Sequence, residues 1–381
     1  MAKQKLTLGA AVLAALGLMA CSEDPAPTEQ GQAAAPATGE KVVNVYNWSD
    51  YIDDTVLVDF EKETGIKVVY DVFDSNEVVE AKLLAGKTGF DVIVPSGSFL
   101  GRQIQAGVFQ PLDRSKLTNW GNLDAAMMKR LENYDPGNQY ALPYLWGTTG
   151  IGYNVKKVKE LLGENAPVDS WDLVFKPENL SKLKACGVTF LDAQSEILPP
   201  VLNYVGKAQD SLVEADYTGP AQMLLESIRP HITSFHSSSY ISDLANGDIC
   251  VAVGWSGDVF QAQARAIEAN NGVELAYSIP KEGTEMWFDM LAIPADAKNV
   301  DNAHLFINYL LRPDVIAKIS NYVQYANGNT ASLSMVADEV KSNTSIYPDE
   351  ATMAKLWTLK VMPADIERVM TRVWTKVKTG Q

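Results

Sequence analysis

The sequence predicts an α/β protein built as two lobes, each a mainly parallel sheet flanked by helices. Short β-rich runs alternate with helical patterns from Val42 onward, and the same alternation begins again after Gly150. Strand–helix–strand alternation buries a parallel sheet between helical layers. The length, 381 residues with 46% hydrophobic side chains, suits two domains or one large one.

In chain order, Val42-Val43-Asn44-Val45-Tyr46 reads as the first strand. Residues 56–64 follow as a helix stopped by Gly65, and 66–70 as the second strand. Ser75 is placed to cap a helix through Leu84, with Glu77 and Glu80 near its start and Gly86 at its end. Residues 90–95 form the third strand, and 150–154 a strand leaving the first lobe. Residues 249–254 are a strand running directly into Trp255, with 277–280 and 290–294 as two more. Helices span 303–311 and, after Arg312-Pro313-Asp314, run on to about Tyr322. The first lobe is expected to comprise 42–145 plus about 267–320, the second 146–266 plus about 321–381. Ligands of such sheets sit beyond the carboxyl ends of strands. Two segments occupy that position, Asn47-Trp48-Ser49-Asp50-Tyr51 and Ser96-Gly97-Ser98.

Charge and rare residues exclude several functions. The 32 basic residues against 47 acidic leave a net charge of -15, a poor match for a phosphate backbone, so no nucleic-acid partner is expected. Three histidines leave little room for a His-rich metal site, and neither a metal nor a cofactor is expected. There is no phosphate-binding Gly-x-x-x-x-Gly-Lys, no Gly-x-Gly-x-x-Gly after a strand and no His-Glu-x-x-His. Ser98 and Ser256 sit near glycines without forming Gly-x-Ser-x-Gly, and no nucleophile–base pair is defined by spacing.

The chain opens with Lys3 and Lys5 before an apolar run over 6–20, shorter than the ~20 residues of a membrane span. Residues 1–20 therefore read as a signal peptide. Leu18-Met19-Ala20-Cys21 resembles the lipobox of bacterial lipoproteins, although Met19 stands where a small residue is usual. The resemblance implies lipidation of Cys21 and an anchor in a membrane; ordinary cleavage nearby is the alternative. Residues 21–41, rich in Pro, Ala, Gln and Gly, are a flexible tether. Cys186 and Cys250 remain as an even pair, read as one disulfide in an oxidising compartment, with two buried thiols as the alternative.

One chemical pattern recurs: an aromatic residue close to a carboxylate, expected at the end of a strand. Trp48-Ser49-Asp50-Tyr51, Trp255-Ser256-Gly257-Asp258 and Trp287-Phe288-Asp289 all carry it. The pattern suits an alkyl ammonium. A ring face attracts the cation and covers its methylenes, about 0.5–2 kcal/mol per contact. The carboxylate accepts charge-assisted hydrogen bonds of about 1.5–3 kcal/mol each. Core tryptophans beside capping aspartates are the alternative for any single instance.

At these residues the sequence resembles the periplasmic polyamine-binding proteins of ABC transporters, a branch of the bacterial extracellular solute-binding proteins, and within them the putrescine binders. Tyr46-Asn47-Trp48-Ser49-Asp50-Tyr51-Ile52, Phe60-Glu61-Lys62-Glu63-Thr64-Gly65, Phe90-Asp91-Val92-Ile93-Val94-Pro95-Ser96 and Asn246-Gly247-Asp248-Ile249-Cys250 carry the likeness. It implies the two-lobed periplasmic-binding-protein fold, with a cleft that closes over a linear di- or polyamine. It also implies a monomer in the periplasm that delivers its ligand to ABC permease subunits and is not an enzyme. Carried over position by position, the implied ligand residues are Trp48, Ser49, Asp50, Tyr51, Ser96, Glu196, Ser237, Trp255, Asp258, Trp287, Asp289 and Tyr325. Glu196 would reach across from the second lobe. Cys186 and Cys250 fall where this branch can carry a disulfide. Gln194-Ser195 and the Pro199-Pro200 pair, which is expected to interrupt its segment, depart from the family's pattern beside Glu196. They leave amine length open, with a spermidine-preferring receptor as the nearest alternative to putrescine. A polyamine-sensing lipoprotein and, more distantly, a sugar-binding protein or glycosidase are the other readings.

Overall fold

Side-chain pattern and capping chemistry set the first half of the chain, and the computed structural model describes residues 41–380. The expected signal peptide, Cys21 and the tether up to Glu40 lie outside the described residues. β1 (Val42–Trp48) and β2 (Lys67–Phe73) pair in parallel, and β1 also pairs in parallel with β3 (Val92–Ile93). The helix Asp54–Thr64 between the first two is capped by the Asp53 side chain on the Thr55 amide. It stops at Gly65, whose φ of 69° is the left-handed turn that glycine adopts without penalty. Ser75 caps the next helix, Asn76–Ala85, on the Val78 amide. The third strand is shorter than its 90–95 run, yet its flanks continue the ladder. The Asp91 amide donates to Asn44 O at 2.7 Å and the Val94 amide to Tyr46 O at 3.2 Å.

β4 (Ala141–Asn154) is fourteen residues long, and only its last third was legible as a strand. β5 (Val188–Phe190), β6 (Ser234–Phe235), β7 (Val251–Trp255) and β8 (Leu275–Ser278) follow. After them come β9 (Thr284–Ala292), β10 (Ala326–Asn327) and β11 (Leu356–Trp357). Among the described residues the spatial order is β2-β1-β3-β9-β4-β7-β5-β6, with β8 and β10 on β4 and β11 on β9. The outer pairs are parallel. The central pairs β3–β9, β9–β4 and β4–β7 are antiparallel.

That change of sense separates two groups of strands. The first half of β4 pairs with β9 from Ala141 to Thr148; its second half pairs with β7 and β8 from Thr149 to Asn154. One continuous strand therefore leaves the first strand group and enters the second, and β9 runs back beside it. β8, expected in the first lobe, pairs with the second group, and β10, expected in the second, pairs with β4 at Leu145 and Trp146.

Two expectations about single elements change. Pro199 and Pro200 do not interrupt their segment: the helix Gln194–Tyr204 runs through both. A proline there removes the amide that would meet the carbonyl four residues earlier. Nine residues of this helix are buried, and that packing holds the backbone helical. Trp287 and Asp289 do not sit at a strand end but in the middle of β9, because the strand starts six residues before the apolar run at 290–294. Cys186 and Cys250 form a disulfide, with Cα atoms 5.4 Å apart.

Candidate functional site

Trp48 is the last residue of β1, and Asp50, at φ 54°, turns the chain so that Tyr51 points back inward. The Trp48 indole is fixed by donating to Val94 O at 2.9 Å. Ser96 precedes the helix Gly97–Gln105 and is held by Asn76, which accepts from its amide at 3.0 Å and donates to its hydroxyl at 2.9 Å. β9 brings Asp289 against both. Ser96 Oγ donates to Asp289 Oδ1 at 2.5 Å, and the Tyr51 hydroxyl to Oδ2 at 2.8 Å.

The second strand group builds a matching arrangement. β7 ends at Trp255, and Asp258 lies in the first turn of the helix Ser256–Ala269. Tyr325 donates to Asp258 Oδ1 and Tyr240 to Oδ2, each at 2.7 Å. Gly257 makes this approach possible, since a Cβ there would stand 2.4 Å from the Tyr325 ring. Gly147 does the same for Trp287, whose ring would be 2.9 Å from its Cβ.

The aromatic walls meet one another. Trp48 and Trp255 stand 5.3 Å apart, Tyr51 and Tyr325 5.1 Å, and Trp287 and Tyr325 5.5 Å. Between them lies a cavity that both aspartates line. Ten of the twelve expected residues line it: Trp48, Ser49, Tyr51, Ser96, Glu196, Trp255, Asp258, Trp287, Asp289 and Tyr325.

The other two lie elsewhere. Asp50 is on the rim, where its carboxylate pairs with Arg265 at 2.6 Å and its carbonyl accepts from Gln261 at 3.2 Å. Ser237 is buried and accepts from the Asp192 amide at 3.0 Å. Four residues that sequence reasoning missed support or extend the wall: Tyr240, Thr149, Tyr144 and Glu285. Tyr144 ties Tyr51 down by donating to its carbonyl at 2.8 Å. Only Glu285 left a sequence signal, since Glu285, Trp287 and Asp289 alternate and so share one face of a strand.

The electrostatics select a cation. Asp258 and Asp289 are 5% and 3% exposed, and among the described residues neither forms an ion pair. Burial pushes each carboxyl up to about 7, against the pull of its two hydroxyl donors. A buried carboxylate without a partner is costly, and an entering ammonium supplies that partner. Among the described residues no group of three or more His, Cys, Asp or Glu is arranged to hold a metal ion. An organic cation fits the aromatic walls better than a bare ion does.

Known proteins share this chain's sequence and architecture. It is 62% identical over 345 residues to the putrescine-binding periplasmic protein PotF of Escherichia coli, covering 91% of this chain and 93% of that one. It is 57% identical to the putrescine-binding periplasmic protein SpuD of Pseudomonas aeruginosa, over 91% and 94%. The crystal structure of the spermidine/putrescine ABC transporter substrate-binding protein PotD of Streptococcus pneumoniae superposes with a TM-score of 0.70 at 29% identity, over 88% of this chain and 98% of that one. With the model for bacterial extracellular solute-binding proteins matching residues 55–348, this chain belongs to that family.

Proposed function

We propose that the protein captures putrescine, or a related linear amine, outside the cytoplasm and hands it to the permease of an ABC transporter, without chemical change to the ligand. The observation that carries this reading is the pair Asp258 and Asp289: two buried, uncompensated carboxylates, each already oriented by two hydroxyl donors, opening onto one aromatic cavity. Each ammonium end of a diamine meets one aspartate, and Trp255, Trp287 and Tyr325 cover the methylenes between. Glu196 adds a third carboxylate.

A ligand held by both strand groups stabilises the closed cleft over the open one. Contacts between the groups already run from Asp50 to Arg265 and from Ser195 Oγ to Glu77 Oε1, the latter at 3.1 Å. The lobes are then best divided where β4 and β9 cross, with β8 in the second lobe and β10 in the first. We assign Asp50 to closure of the rim rather than to ligand contact, and Ser237 to support of the Asp192 turn. The mature chain acts as a monomer, tethered to a membrane through lipidated Cys21. A thermal-shift series over diamines of increasing chain length tests the reading. Stabilisation should peak near the four-carbon diamine; a flat series, or stabilisation by sugars alone, would overturn it.

A further inference from the structure

Next to this cavity lies a second chamber, which shares Ser96, Glu196 and Trp287 with the first. The diamine reading above leaves it empty. Glu285 lines this chamber together with Glu196, and none of the described residues lining it is a lysine or an arginine. Glu285 is 1% exposed, and its Oε2 has no hydrogen-bond partner. Its Oε1 shares the Thr149 hydroxyl, 3.3 Å away, with Glu196 Oε2 at 2.6 Å. The two acids stand side by side, bridged by one hydroxyl, in a wall that carries no cationic side chain among the described residues.

Strand geometry supplies the spacing. Glu285, Trp287 and Asp289 occupy alternate positions of β9, where pairing with β4 shifts register only on the β4 side, between Pro143 and Trp146. Each two-residue step is roughly 6.6 Å, so the strand lays carboxylate, ring and carboxylate along a line of about 13 Å. Asp258 extends the series from the other strand group. A chain with two nitrogens reaches two of these positions; a longer one reaches the third.

We propose that Glu285 is a selectivity residue: with Glu196 it forms the far anionic end of the cleft, which receives the third nitrogen of a linear triamine in exchange for a proton. The inference rests on the amine-binding reading and deepens it. In the exchange the carboxyl O–H of Glu285 breaks, its proton passes to solvent, and an ammonium N–H donates to the freed oxygen. Burial, then the neighbouring Glu196 carboxylate, holds Glu285 well above the usual carboxylate range, so a proton is there to be released. The other titratable groups facing the pair are Tyr277 on β8, Tyr134 ahead of β4, Asp289 on β9 and Glu77 on the helix Asn76–Ala85. Lys360, next to Leu359 on the chamber wall, is engaged by Asp210 at 2.6 Å.

Calorimetry of the mature chain at about pH 8, in buffers of differing ionisation enthalpy, counts protons released per ligand. Asp258 and Asp289, near 7, are then mostly ionised and contribute little. Spermidine, as the triamine probe, should release close to one proton more than putrescine. Glu285→Gln should abolish that difference and lower the ratio of spermidine to putrescine affinity at least about tenfold. Glu285→Met, which keeps the length and removes every polar atom, should lower it further, and a melting curve for each variant certifies the fold. Equal proton release for the two amines, or an affinity ratio within about twofold of the parent in both variants, would overturn the proposal. Failure of the parent to bind putrescine at all would instead overturn the functional reading beneath it.

Discussion

The rings of Tyr51 and Tyr325 meet edge to face 5.1 Å apart, and their hydroxyls donate to different carboxylates, Tyr51 to Asp289 and Tyr325 to Asp258. One aromatic contact thus couples the two anionic ends of the cavity across the boundary between the strand groups. Each hydroxyl orients a carboxylate that forms no ion pair among the described residues.

Removing one of these donors should therefore weaken the ligand without altering the wall. Tyr51→Phe and Tyr325→Phe each keep the ring and lose a hydrogen bond to a charged acceptor, so each should weaken putrescine by roughly ten- to a hundredfold. Calorimetry checks the singles, and the double variant tests their coupling. An additive double variant would show that the ring contact carries no coupling.

Replacing the carboxylate itself has opposite effects on stability and binding. Asp258→Asn removes a buried charge that only a ligand compensates. The empty variant should melt higher than the parent and bind putrescine at least about tenfold more weakly. Paired melting curves with and without amine read both effects.

The same groups set a pH dependence. Asp258 and Asp289 stand near 7 in the fold against an ordinary 3.8, so the empty protein holds more protons than the unfolded chain between those values. Their contribution to stability is fully present below about pH 4 and is lost as pH rises through about 7. Bound ammonium favours the ionised carboxylates, so putrescine affinity should rise from about pH 5 to 7 and then level off. Melting temperature against pH, with and without saturating amine, should show a slope that the ligand flattens.

The rim should behave differently from the cavity. Asp50 and Arg265 are 37% and 40% exposed at the side chain, and an ion pair so placed contributes only about 0.2–1 kcal/mol. Asp50→Asn should weaken putrescine less than about fivefold, with a smaller effect at high salt. A loss as large as that of Asp258→Asn would return Asp50 to the ligand shell.

Local chemistry made much of this architecture readable. Ser75, Gly65 and Gly86 mark helix ends by side-chain capping and by a backbone that glycine tolerates, and the second helix starts and both helices stop where those signals place them. The aromatic–carboxylate segments were legible because the pairing is written within a few residues. Tertiary context decided the rest. β4 is buried along nearly all its length, so its residues show no alternation to separate strand from other buried chain. Tyr240 and Tyr144 reach the site only through folding, from positions with no local pattern. Glu285 is not adjacent to Trp287, and its shared face with Trp287 and Asp289 appears only once β9 is known to begin at Thr284 rather than at Met290. Asp50 shares its segment with Trp48 and Tyr51, and only the left-handed turn there, which no local pattern announces, brings its carboxylate to Arg265.

Calorimetric titration of residues 41–381 with putrescine at about pH 7.5 tests the central claim most directly. The two uncompensated aspartates in one aromatic cavity predict a single site, with an affinity in the micromolar range or tighter that falls at least about tenfold in Asp258→Asn and in Asp289→Asn. No binding of any linear diamine by the folded protein, or binding untouched by either substitution, would contradict it.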